Sequence, residues 1–248
     1  MSARCVLVVV IAVLVSLVRP SWAEACSCGA TISAATSFRG ADLIFVGTVT
    51  RVERAQPWSR VNADGSVSVG FGPESPVTTF ETAHVFKGRA ERQVVIAGDR
   101  SDCDVPFKHA ETWLVYARSS EGRIVTEKCT RTRLRIEAEA SQDLAYLEGL
   151  ERGRQQGIVY GDVLRRILGV DGQPALQALF EPLQVIAVGA GRWLEITTDR
   201  WGPYQLVLPP GDFEIWVERA GRGVAPRQTV HVDQGSERRL VLAVEYKD

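Results

Sequence analysis

"CSCGATISAATSFRGADLIFVGTV", residues 26 to 49, carries the reading of the fold. It opens with two cysteines one residue apart and ends in a β-branched, aromatic run. Residues 42 to 52, DLIFVGTVTRV, read as a strand, with Gly47 marking a bend or bulge. Downstream, residues 57 to 77 are rich in Pro, Gly, Ser, Asn and Asp and read as a long hairpin loop. Val77 to Lys87 alternates well enough for a second strand, ended by Gly88. Further strand signals lie at Gln93 to Ala97, Thr112 to Ala117 and Arg123 to Glu127. The period then changes. Ala140, Leu144, Leu147 and Leu150 follow helical spacing, with acidic residues at the start. Strands followed by one terminal helix predict a small closed barrel such as the five-stranded OB-fold.

Upstream of Cys26 stands a leader. Arg4 gives it a positive start, and residues 6 to 18 are VLVVVIAVLVSLV, an apolar run too short to span a bilayer comfortably. Pro20 breaks any helix there, and small residues follow at Ala23 and Ala25. Residues 1 to 25 therefore read as a cleaved secretory signal peptide. Cleavage after Ala23 would leave Glu24 first, and cleavage after Ala25 would leave Cys26 first. Ala23 and Glu24 before the cysteine argue against lipidation, which favours an aliphatic and a small residue at those places. No later stretch is apolar enough to cross a membrane as a helix, so the expected mature protein is secreted, periplasmic or extracellular. The whole chain has 248 residues and a formal net charge of −1. That balance argues against nucleic acid as a partner. The one basic cluster, Arg131-Thr132-Arg133-Leu134-Arg135, reads as a solvated strand face rather than a polyanion site.

Cys5 lies in the leader, which leaves Cys26, Cys28, Cys103 and Cys129. An even count in an exported chain predicts two disulfides. A Cys26–Cys28 bridge would be a strained ring, so the front pair should cross to the two distant cysteines, in either order. Each such bridge closes a loop of about 75 to 105 residues and is worth roughly 4 to 5 kcal/mol before native strain. The competing reading, a zinc site of four thiols, usually shows two Cys-x2-Cys pairs, which this chain lacks.

Arg152 to Gly157, RGRQQG, is polar and without period, and a domain boundary is expected there. Beyond it, Leu194 and Ile196 alternate, as do Tyr204, Leu206 and Leu208, then Phe213, Ile215 and Val217. Val230 and Val232, then Leu240, Leu242 and Val244, complete the set. Short alternating runs with frequent turns predict an all-β sandwich over 158 to 248.

Chemical motifs are scarce. His84, His109 and His231 are far apart in sequence, and His84 and His231 read as core or rim residues of strands. The sequence has no His-Glu-x-x-His motif, Gly-x-Ser-x-Gly elbow or phosphate-cradling glycine loop. A cysteine nucleophile needs a thiol that two disulfides would remove. The expectation is a protein that is not an enzyme and has no cofactor of its own.

The first half, residues 26 to 152, resembles the netrin-like module, specifically the N-terminal domain of the tissue inhibitors of metalloproteinases. The resemblance rests on Cys26-Ser27-Cys28, "ADLIFVGTV", "FETAHVFKG", Cys103, "ETWLVYA" and Cys129. It implies the pairing Cys26–Cys103 and Cys28–Cys129. It also implies a mechanism. The free amine and carbonyl of Cys26 would chelate the catalytic zinc of a target metalloprotease, and Ser27 would enter the protease's first primed-side pocket. Ala30, Thr31 and Ile32 would extend the contact ridge, with the 57–77 loop as a second contact. The amine must be neutral to bind zinc, and an α-amino pKa of about 7.7 to 8.0 makes that accessible near neutral pH. The second half, through "TTDRWGPYQLVLPPGDFEIWV", resembles the transthyretin-like, carboxypeptidase regulatory-like sandwich, usually a non-catalytic accessory. The family's third disulfide has no counterpart here. The alternative expectation is a non-inhibitory extracellular binding or scaffold module, in which the bridges simply pin the chain end.

Overall fold

Residues 43 to 49 form the centre of β1 (Leu43–Glu53) because both faces of that strand are covered. Leu43, Phe45 and Val49 point into one hydrophobic cluster, and Ile44 into another. That double burial explains the unbroken apolar run, where a half-solvated strand would alternate. The computed structural model describes residues 26, 28, 30–53, 57–62, 64–71, 76–98, 103–168, 173–178, 181–198, 202–218 and 225–244. The leader at 1–25 and Ser27 lie outside the described residues.

β1 pairs antiparallel with β4 (Val77–Lys87) on one edge and with β6 (Thr112–Ser120) on the other. β4 pairs with β5 (Gln93–Ala97), β5 runs parallel to β7 (Arg123–Val125), and β7 pairs with β6. The order β1-β4-β5-β7-β6 thus returns to β1 and closes a five-stranded barrel. The register of β1 on β4 shifts between Val46 and Gly47, which places the expected bend at the glycine. A side chain at Gly47 would meet the Phe45 ring and the Glu81 carbonyl at 2.9 and 3.0 Å. Phe45, Phe80, Phe107 and Trp113 fill the barrel as a chain of edge-to-face rings, with centroids 4.9 to 5.5 Å apart. The 57–77 stretch joins β1 to β4 as expected. It also holds an antiparallel ribbon, β2 (Pro57–Val61) and β3 (Val67–Phe71), that its loop-like composition did not predict.

Among the described residues, two helices pack outside the barrel. α1 (Ala34–Gly40) was not expected from the sequence; Ser33 caps it by accepting from the Thr36 amide. The expected terminal helix is α2 (Ala138–Glu151), in which Ala140 is buried and Leu144 and Leu147 pack against Ile44, Leu114 and Tyr116. The two-residue β8 (Arg133–Leu134) borders β6 just before it.

The second half is two facing sheets. One contains β9 (Gly157–Leu168), β10 (Pro174–Ala178), β13 (Pro203–Leu208), β16 (Glu237–Arg239) and β17 (Leu242–Val244). The other has the order β12 (Arg192–Thr197), β11 (Gln184–Gly189), β14 (Gly211–Glu218), β15 (Gln228–Val232). Tyr204, Leu206, Leu208, Phe213, Ile215 and Val217 meet in the core between them, as their alternation predicts. β9 is the centre of its sheet, although Gly161, Asp162 and the Arg165-Arg166 pair hide its strand pattern in the sequence. Gly161 is needed because the Leu240 backbone crosses there: a Cβ would lie 2.1 Å from the Leu240 carbonyl oxygen. Side chains on a strand alternate between faces. With Val159 and Val163 in the core, Ile158, Tyr160 and Asp162 turn outward, toward the barrel and α1.

Candidate functional site

The N-terminal segment is fastened at two points. Cys26 is bridged to Cys103 and Cys28 to Cys129, the pairing the resemblance implies. Cys103 follows β5 and Cys129 follows β7, and their loops are joined by a 2.7 Å hydrogen bond from the Lys128 amide to the Cys103 carbonyl. The bridges touch: the Cys26 and Cys129 sulfurs are 3.6 Å apart. Cys26, Cys28 and Cys129 have their sulfurs within 4.8 Å of one another, as a metal site would require. Each is in a disulfide, however, and metal ligation requires the thiolate.

Beyond the bridges the segment stays at the surface. Cys28, Ala30 and Ile32 are exposed, and Cys26 and Thr31 are half-buried. A cleft of about 120 Å³ lies beside it, lined by Cys28, Ala30, Ile32, Lys128, Thr130 and Pro203 among others. Pro203 belongs to the sandwich, so the cleft is shared by both halves of the chain.

Arg131 holds the segment from below. Its Nη1 donates to the Ile32 carbonyl at 2.7 Å, and its Nε and Nη2 contact the Asp143 carboxylate at 2.6 to 2.9 Å. The side chains are 4% and 0% exposed. This corrects the reading of residues 131 to 135 as a solvated strand face. Arg131 is drawn inward because a fully buried carboxylate on α2 needs a charged partner. Arg133 is half-buried and pairs with Glu139 at 3.0 Å, and Arg135 alone of the three is exposed. Burial pulls the Arg131 guanidinium toward neutrality, but Asp143 and Glu139 outweigh it, so its pKa is raised and it stays charged. Burial raises the Asp143 carboxyl above its ordinary value against the lowering influence of Arg131. Burial, then the Asp143 charge, pushes the Tyr116 phenol well above its ordinary value.

Three side chains of the sandwich reach the same segment. Asp162 accepts from the Thr31 hydroxyl at 2.7 Å. Gln205, fully buried, accepts from the Ala34 amide at 2.7 Å and donates to Asp143 at 3.3 Å, while its own amide donates to Gln142 at 2.6 Å. Glu237 accepts from the hydroxyls of Ser33 and Thr36 and pairs with Arg39 at 2.6 Å. Burial would raise the Glu237 carboxyl, yet the hydrogen bonds from Ser33, Thr36 and Arg39 prevail and hold it below its ordinary value. Sequence reasoning named none of these residues. Asp143 carried a signal: it sits on the apolar stripe of α2, three residues after Ala140 and four before Leu147. Gln205, between buried Tyr204 and Leu206, faces away from the sandwich core and carried a weaker one.

The histidines are surface residues. His84 is exposed on β4 and bonds Glu151 at 2.8 Å, at the end of α2. His231 is exposed between Asp212 and Asp233 at 2.6 and 3.3 Å; the hydrogen bond it donates to Asp212, then the Asp212 charge, raises its pKa. No described helix is long and apolar enough to cross a membrane.

No protein-family model and no curated protein matches the chain. Among solved structures it is similar to the Bacillus anthracis TIE protein, with 14% sequence identity and a TM-score of 0.28. That likeness covers 83% of this chain and 35% of the other, so the chain spans about a third of that structure's length.

Proposed function

We propose that the protein inhibits a zinc metalloendopeptidase outside the cell through the amino terminus of Cys26. The observation that carries this reading is the pair of adjoining disulfides, which fasten Cys26 and Cys28 to the barrel while residues 28, 30 and 32 remain exposed. A catalytic zinc keeps one position open for water. The amine and carbonyl of Cys26 would take that position as a five-membered chelate, and Ser27 would enter the adjoining pocket. A segment already ordered by two bridges loses little freedom on binding. Ala30, Thr31 and Ile32 would continue the contact. The β2–β3 ribbon would add a second one, since Val61 and Val67, paired across it, are 70% and 61% exposed. The zinc belongs to the protease; the inhibitor brings no cofactor.

The test begins with the N-terminal sequence and non-reduced intact mass of the exported protein, then measures inhibition of a panel of zinc endopeptidases. The expected result is a mature start at unmodified Cys26, with inhibition of at least one member. A start at Glu24, or a blocked Cys26, overturns zinc capture by that amine and leaves a binding or scaffold module.

A further inference from the structure

We infer that the sandwich shapes the N-terminal segment, with Asp162, Gln205 and Glu237 as positioning residues that hold residues 31 to 39 against the barrel. They sit on three different strands, β9, β13 and β16, yet act on one stretch of nine residues. All three lie on the outer face of one sheet, where alternation would ordinarily put solvated side chains.

The arrangement has a physical logic. The bridges fix only Cys26 and Cys28, and α1 begins at Ala34. Among the described residues between them, 30 to 33, the backbone forms no strand. A seven-residue helix is too short to hold itself in water. Its first amide is satisfied by Gln205, and its cap residue Ser33 donates to Glu237. Arg39, in its last turn, returns to the same carboxylate. Ala34 and Ala35 pack on Ile158 of β9, so the polar contacts surround a small apolar one. From the barrel side, Arg131 holds the Ile32 carbonyl and Lys87 donates to the Phe38 carbonyl at 2.6 Å. The segment is therefore gripped from both halves of the molecule. The sandwich holds a stretch that the bridges leave untied.

This inference concerns the shape of the segment and stands whether or not the segment reaches a protease. Hydrogen exchange on the full-length protein tests it, using Asp162→Ala, Glu237→Ala and Asp162→Asn. Asp162 and Glu237 are only partly buried, so either can be replaced without opening the core. Gln205 is not used, because its loss would also disturb Asp143. In the two alanine variants, exchange at the amides of Ala34, Thr36, Ser37 and Ala41 should rise about tenfold, the scale of one lost charge-assisted hydrogen bond. Amides of β1, β6 and β13 should keep wild-type protection. Asp162→Asn retains an acceptor oxygen for Thr31 and should exchange like wild type. Unchanged exchange at 34 to 41 in the alanine variants overturns the inference. So does a rise shared equally by the barrel strands, which would mean plain destabilisation. Asp162→Asn exchanging as fast as Asp162→Ala overturns the role given to Asp162.

Discussion

Asp143 and Arg131 show how far one buried charge can reorganise its surroundings. The carboxylate is fully buried on α2, and the guanidinium that answers it also holds the Ile32 carbonyl. Removing one partner leaves the other charged in a low-dielectric site. Asp143→Ala should therefore destabilise the protein by about 3 to 5 kcal/mol in denaturant unfolding. Arg135→Ala, at an exposed member of the same cluster, should stay within about 0.5 kcal/mol. Comparable losses in the two variants would contradict the correction of the 131–135 cluster. Arg131 could not be read as buried from "RTRLR", because three alternating arginines describe a solvated strand equally well. The signal lay twelve residues later, in an acid on an apolar helical stripe. Glu237 gives a pH prediction. Its folded pKa lies below its ordinary 4.5, so the unfolded chain binds the proton more readily. Its contribution is present above the unfolded value and is lost as pH falls through the lower folded one. Glu237→Gln should flatten the acid limb of the stability profile without changing its slope at neutral pH. An acid limb identical to wild type would show that the Ser33, Thr36 and Arg39 contacts are not formed in solution.

Elements with a clear period were the legible ones. β4 and β5 occupy the expected residues, and β1 and β6 begin within one residue of them, because apolar runs with turn residues at their ends leave little choice. Four of the elements that escaped lack such a period. α1 is too short to show one, β2 and β3 are written in turn-like residues, and β9 is interrupted by glycine and charge. Yet α1 and β9 help place the N-terminal segment, so two of the unread elements border the candidate site. The sandwich core was legible from β13 and β14, whose inward residues alternate cleanly; the outward Gln205 of β13, which touches α1, stood out from no such pattern. The bridges are the firmest ties at this scale. Cys28→Ser with Cys129→Ser should cost about 2 to 5 kcal/mol, measured by unfolding under non-reducing conditions. A loss under about 1 kcal/mol would mean that the remaining bridge and the sandwich contacts already order the segment.

At the scale of the molecule, the barrel and the sandwich meet at the segment that follows the bridges. Disulfides anchor its start, Arg131 and Lys87 hold it to the barrel, and Asp162, Gln205 and Glu237 hold it to the sandwich. What emerges is a stretch fixed from both halves of the molecule, with Cys28, Ala30 and Ile32 exposed along it. The most direct test compares two proteins that differ at one place: one beginning at Cys26, the other carrying a single alanine before it. Both keep the disulfides and the fold, and only the position of the free amine changes. Inhibition constants against a responsive zinc endopeptidase should weaken by about a hundredfold or more with the added alanine, the loss expected when the chelate cannot form. Equal inhibition by the two proteins would contradict zinc capture by Cys26.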